Sequence, residues 1–117
     1  MEWSIDFINS IENKHMLNTT THNIDGKEIK EYLGVVNGDT ISELHFMSSL
    51  EEAIREGFGG SQYQQLFSEA RNIAFERMNQ KAMEMGANGV VGIDLDCGIL
   101  GNSEIMMISV NGTAVKF

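Results

Sequence analysis

Tyr63, Leu66, Ala70, Ile73, Ala74, Met78, Ala82 and Met85 recur at short intervals, mostly three and four residues, and stop at Gly86, which is the pattern of one face of a long helix. Ser61 with Gln64 has the capping-box spacing at the start of that run, so the sequence predicts a helix over 62–85. At ~1.5 Å per residue this helix is about 36 Å long, against ~17–20 Å for a typical strand. The row 66, 70, 74, 78, 82 also drifts by about 40° per step of four residues, so the apolar stripe winds round to Phe75. An ordinary small sheet does not cover all of it.

The segments on either side read as strands. β-prone residues around Asp25-Gly26 predict a hairpin with strands at about 17–23 and 28–36, closed by the breaker Asn37-Gly38-Asp39. Ser48 or Ser49, with Glu51 or Glu52 three residues on, opens a short helix ending at Gly57-Phe58-Gly59-Gly60. After Ala87-Asn88-Gly89 the run 90–97 alternates, with Val91, Ile93, Leu95 and Cys97 on one face and Asp94 and Asp96 on the other. A loop at 98–103 leads to a strand at 104–110, then a turn or bulge at Asn111-Gly112 and a last strand at 113–117. The connection after Cys97 is too short for a parallel crossover of about a dozen residues, so the expected fold is α+β with an antiparallel sheet, one long helix and one short helix.

Within 104–110, Met106, Ile108 and Val110 line one face while Ile105 and Met107 line the other, so both faces of that strand are apolar. A single sheet under a single helix buries only one face. Leaving several Ile and Met side chains in water forfeits several kcal/mol at ~25 cal/mol per Å², in a fold whose net margin is only ~5–15 kcal/mol. Self-association in a closed ring meets that demand. The other solution is cover by residues 1–15, where Trp3, Phe7 and Ile11 recur every four residues and predict a short amphipathic helix as an N-terminal extension to the domain at 16–117. That helix reads first as one that docks on its own or a neighbouring domain, and a helix that holds a separate partner is the second reading.

Composition narrows the function classes. The 117 residues include 17 acidic and 8 basic ones, a formal charge of −9, which opposes attraction to nucleic acid or anionic membranes. No run approaches the ~18 apolar residues of a membrane helix, and the lone Cys97 closes no intrachain disulfide, so a cytoplasmic protein is expected. No nucleophile motif of the Gly-x-Ser-x-Gly kind occurs, and the expectation is that the chain is not an enzyme.

The metal-ligand candidates are Asp94, Asp96, His45 and Cys97, with His15 and His22 as further donors, but no Cys-x-x-Cys or His-x-x-x-His spacing joins them. Asp94 and Asp96 point the same way, about 6.6 Å apart along a strand, which suits a divalent cation, paired acid and base work, or simply a solvated face. Cys97, on the Val91 face, reads as a small buried hydrophobe. Gly57-Phe58-Gly59-Gly60 before a helix start suits an anion, although Ser61 capping its own helix uses the same amides.

Several stretches resemble the YbjQ-like family of small bacterial and archaeal proteins, often labelled heavy-metal-binding. These are Thr19-Thr20-Thr21, Ile24-Asp25-Gly26-Lys27, Tyr32-Leu33-Gly34-Val35-Val36-Asn37-Gly38, Ala70-Arg71-Asn72-Ile73-Ala74-Phe75, the run from Gly86 to Asp96, and Met106 to Val115. The likeness covers 16–117 in order. It departs at residues 1–15, at Ser61-Gln62, where members carry a longer stretch with an Arg, at Glu43-Leu44-His45, and at Cys97, where an aromatic residue is common. The resemblance implies a ring-forming α+β subunit and a homopentamer. The resulting expectation is a binding or structural module taking a divalent metal or small ligand at subunit junctions near Asp94, Asp96 and His45. A partner-binding scaffold built on the N-terminal helix and an enzyme using Asp94 and Asp96 are the alternatives.

Overall fold

The computed structural model of the chain describes residues 16–43, 59–101 and 105–117. In chain order the elements are β1 (Leu17–Asn18), β2 (Glu31–Glu43), α1 (Gly59–Glu84), β3 (Gly89–Leu100) and β4 (Ile105–Lys116). The sheet order is β1-β3-β4-β2. β2 and β3 both run antiparallel to β4, whereas β1 runs parallel to β3, so the α+β sheet is mixed rather than wholly antiparallel. The short helix expected between Ser48 and Gly57 and the helix expected over 1–15 lie outside the described residues. Among the described residues no helix is long and apolar enough to cross a membrane.

The expected opening hairpin is corrected. Its turn exists, with Gly26 at φ 78° and the Lys27 amide donating to the Ile24 carbonyl at 3.2 Å, but only the pair Ile24 and Lys27 bridges across it. The chain before the turn bonds to β3 instead: the Gly92 amide donates to the Thr21 carbonyl at 2.9 Å and the Ile93 amide to the Thr19 carbonyl at 3.2 Å. The chain after it crosses to the far edge of the sheet and pairs with β4.

The long helix is where the apolar period put it, starting at Gly59 rather than 62. Its last turn closes as the Gly86 amide donates to the Met83 carbonyl at 2.9 Å and the Ala87 amide to the Ala82 carbonyl at 3.0 Å, with Gly86 left-handed at φ 87°. Ala70, Ala74, Met78 and Ala82 are all buried and face Val36, Val90, Ile93, Met106, Ile108, Val110 and Ala114 of the sheet. Phe75 packs against this core from the flank, as the winding stripe required, while Ile73 and Met85 stay about 40% exposed. The helix lies over β2 and β4 and scarcely touches β3.

Two expected breaks are absent. β2 runs through Asn37-Gly38-Asp39 because Gly38 is a contact point: a Cβ there would sit 2.0 Å from the Ala74 carbonyl oxygen. β4 runs through Asn111-Gly112, and β3 continues past Cys97 to Leu100. Opposite Gly112, β3 bulges at Gly92-Ile93, with Gly92 at φ 62°. The bulge shifts the alternation, so Val91 pairs with Thr113 and lies on the face opposite to Leu95 and Cys97, not on theirs.

One polar contact ties β1 to the helix. The Asn18 amide donates to Asn79 Oδ1 at 2.8 Å and the buried Asn79 amide returns a bond to Asn18 Oδ1 at 3.0 Å. Asn79→Ala leaves the Asn18 amide without this partner and is expected to cost about 1–3 kcal/mol in urea unfolding. A midpoint equal to that of the parent would show that water satisfies Asn18 fully.

Candidate functional site

Strand register builds the face of the sheet turned away from the helix. Asp94 lies beside Asn111, and Asn111 beside Asn37; one step along, Asp96 lies beside Ser109 and Ser109 beside Asp39. The next two rows are Gly98, Met107 and Ile41, then Leu100, Ile105 and Glu43. A polar band carrying three carboxylates thus adjoins an apolar end. Ile41 is 67% exposed, Leu100 51% and Met107 36%, so among the described residues nothing covers this end fully.

The candidates read from the sequence do not converge. Asp94 and Asp96 are exposed and share the outer face, as the alternation indicated. Cys97 pairs with Ile108 on the opposite face, and it is exposed rather than buried because the helix scarcely reaches β3. His22 is exposed beside the bulge, its Nδ1 3.1 Å from where a Cβ on Gly92 would sit. His15 and His45 lie outside the described residues. Among the described residues no group of three or more His, Cys, Asp and Glu is placed to hold a metal ion. A heavy-metal centre does not fit them: Asp94 and Asp96 are hard oxygen donors, and the thiol of Cys97 points to the other side of the sheet.

Among the described residues, concavities flank the sheet on two sides. One, of about 650 Å³, lies within the curl of chain from Leu17 to Asp25, where Thr19 and Thr21 hydroxyls bond each other at 2.8 Å and the Thr21 hydroxyl donates to the Asn23 carbonyl at 2.7 Å. Those hydroxyls are already engaged. The other, of about 500 Å³, runs along the β2 edge beside Asp39, Arg77, Gln80, Lys81 and Glu84. Here Arg77 donates to the Asp39 main-chain carbonyl at 2.6 Å and Lys81 to Asn37 Oδ1 at 3.2 Å. Sequence reading passed over Arg77 and Lys81, which look like ordinary solvated helix residues until register sets them at a sheet edge.

Known proteins share this architecture. A solved structure of a protein of unknown function from Pediococcus pentosaceus superimposes with a TM-score of 0.59 at 22% identity, covering 87% of this chain and 97% of that one. A UPF0145 protein of Corynebacterium jeikeium is 38% identical over 104 residues, covering 87% of this chain and 99% of its own. A UPF0145 protein of Bacillus cereus is 40% identical over 103 residues, covering 86% of this chain and 99% of its own. These names state no activity. The family model described as "Putative heavy-metal-binding" matches residues 16–117, and the chain belongs to that family, the YbjQ-like proteins.

Proposed function

We propose that the protein is a self-assembling, non-enzymatic binding or structural module, a homopentamer by its family resemblance, whose subunits shelter one another's outer sheet faces. The observation that supports this reading is the uncovered apolar end at Ile41, Leu100 and Met107. Burying an aliphatic side chain of that size contributes ~1.5–3 kcal/mol, and identical copies each bring the same patch. A ligand or divalent cation held at a junction meets the carboxylates of Asp94, Asp96 and Asp39, with oxygens from a neighbouring copy completing the set a hard cation requires.

Light scattering at micromolar concentration tests the assembly. The expected result is a mass five times the 13.0 kDa of one chain, and a folded species at 13.0 kDa refutes it. Native mass spectrometry with and without a chelator tests the ligand, as one bound species per subunit lost on chelation.

A further inference from the structure

The helix covers only part of the sheet face beneath it. It lies over β2 and β4 and scarcely touches β3. Register sets Leu95, Cys97 and Ile99 beside Val110, Ile108 and Met106, the buried inner row of β4. Yet Leu95 is only half-buried, Cys97 is exposed and Ile99 is 40% exposed, so among the described residues nothing fully covers this stretch. Phe75 comes one turn before Asn79, which bonds to Asn18 of β1, so the flank of α1 turned toward β3 also carries a half-buried apolar ring. Packed helices lie 8–10 Å apart, about two strand spacings of ~4.8 Å, so a helix over β2 and β4 leaves the width of one more over β3.

The start of the described chain is tied to that same side. Asn18 faces the helix, since it bonds to Asn79; alternation then turns Leu17 outward and Met16 inward, where Met16 is 8% exposed and part of the core. Met16 sits at the end of the sheet where Leu17 pairs with Gly89. From Trp3 to Met16 is a span of 13 residues, which as a helix reaches about 20 Å at ~1.5 Å per residue. β3 rises about as far from Gly89 to Leu95, at ~3.3 Å per residue. Side chains lean toward a helix N-terminus, which carries a ring at Trp3 on from the level of Leu95 toward Cys97.

We propose that residues 1–15 fold back beside α1 over the open part of β3, with Trp3 seated at Leu95 and Cys97 and with Phe7 and Ile11 against the flank of α1 nearer Met16. The segment lies outside the family domain at 16–117, and the relatives matched over 99% of their own length hold almost nothing beyond that domain. It brings apolar cover to a face that the domain leaves open. Ile41, Leu100 and Met107 are on the other face, so the self-assembly reading is independent of this contact.

Two side chains that occur once each report on it, Trp3 in the segment and Cys97 on the face. In the full chain the Cys97 thiol is expected to react with Ellman's reagent about tenfold or more slower than in W3S/F7S, because the segment must open before the reagent enters. C97R is expected to move the Trp3 emission from the blue of a buried indole to the red of a solvated one. Circular dichroism checks both variants, and the emission of the parent against C97R decides where W3S/F7S loses the native spectrum. Equal thiol rates in the parent and a folded W3S/F7S, or solvated Trp3 emission in the parent, overturn the proposal. Protection of Cys97 that disappears on dilution gives the face to a neighbouring copy and overturns it as well. A monomeric parent with a protected thiol removes the self-assembly reading alone and supports this one.

Discussion

Gly38→Ala is expected to destabilise the fold by about 3 kcal/mol or more, a large share of a net stability of ~5–15 kcal/mol. The added Cβ would lie 2.0 Å from the Ala74 carbonyl oxygen and 2.6 Å from the Met78 amide nitrogen. Both are main-chain atoms of α1, so no rotamer change relieves the overlap and the helix must lift from β2. Lifting it opens the line of Ala70, Ala74, Met78 and Ala82, every one of them 2% exposed or less. Gly98→Ala is the control, because a Cβ on that strand residue meets nothing within 4 Å. Urea unfolding should separate the two variants clearly. Equal midpoints would mean that the helix adjusts without cost and that Gly38 does not set its approach.

Gly38 also shows where sequence reading stopped. Asn37-Gly38-Asp39 has the composition of a turn, and local propensity alone ends the strand there. The structure continues β2 to Glu43 because a helix on the same side needs a position without a side chain. Tertiary demand overrode local preference. The helix was legible because its signal is a period, repeated over many residues, which no single contact can mask. β4 was legible for the same reason, its faces at Met106, Ile108 and Val110 against Ile105 and Met107 being those of the structure.

The candidate site was legible in part. Alternation alone put Asp94 and Asp96 on one face, and register confirms it. It misplaced Val91, because strict alternation has no place for the bulge at Gly92-Ile93; the isolated glycine inside an apolar run was the available warning. The third carboxylate, Asp39, joins the other two through Ser109 across two strand pairings, a relation that exists only once register is known. Cys97 was read as buried from its residue type, yet its exposure depends on where the helix stops covering the sheet.

Ile41→Asp with Leu100→Asp is expected to abolish assembly while leaving the subunit folded. These side chains are 67% and 51% exposed, so the fold buries only part of each and loses far less when they change than it would at a fully buried position. A carboxylate brought against a second apolar face, by contrast, must be desolvated without a partner, a cost of several kcal/mol repeated at every interface of a closed ring. Small per-subunit changes therefore become a complete loss. Ile108→Asp gives the opposite result, because Ile108 is 0% exposed beneath the helix and its replacement should unfold the chain. The decisive readouts are mass by light scattering and circular dichroism on the same samples. Retention of the parent mass by the folded double variant would place the subunit contact elsewhere on the sheet. Ile41 and Leu100 would then be surface residues with no part in it, and the apolar second face of β4 would need another cover.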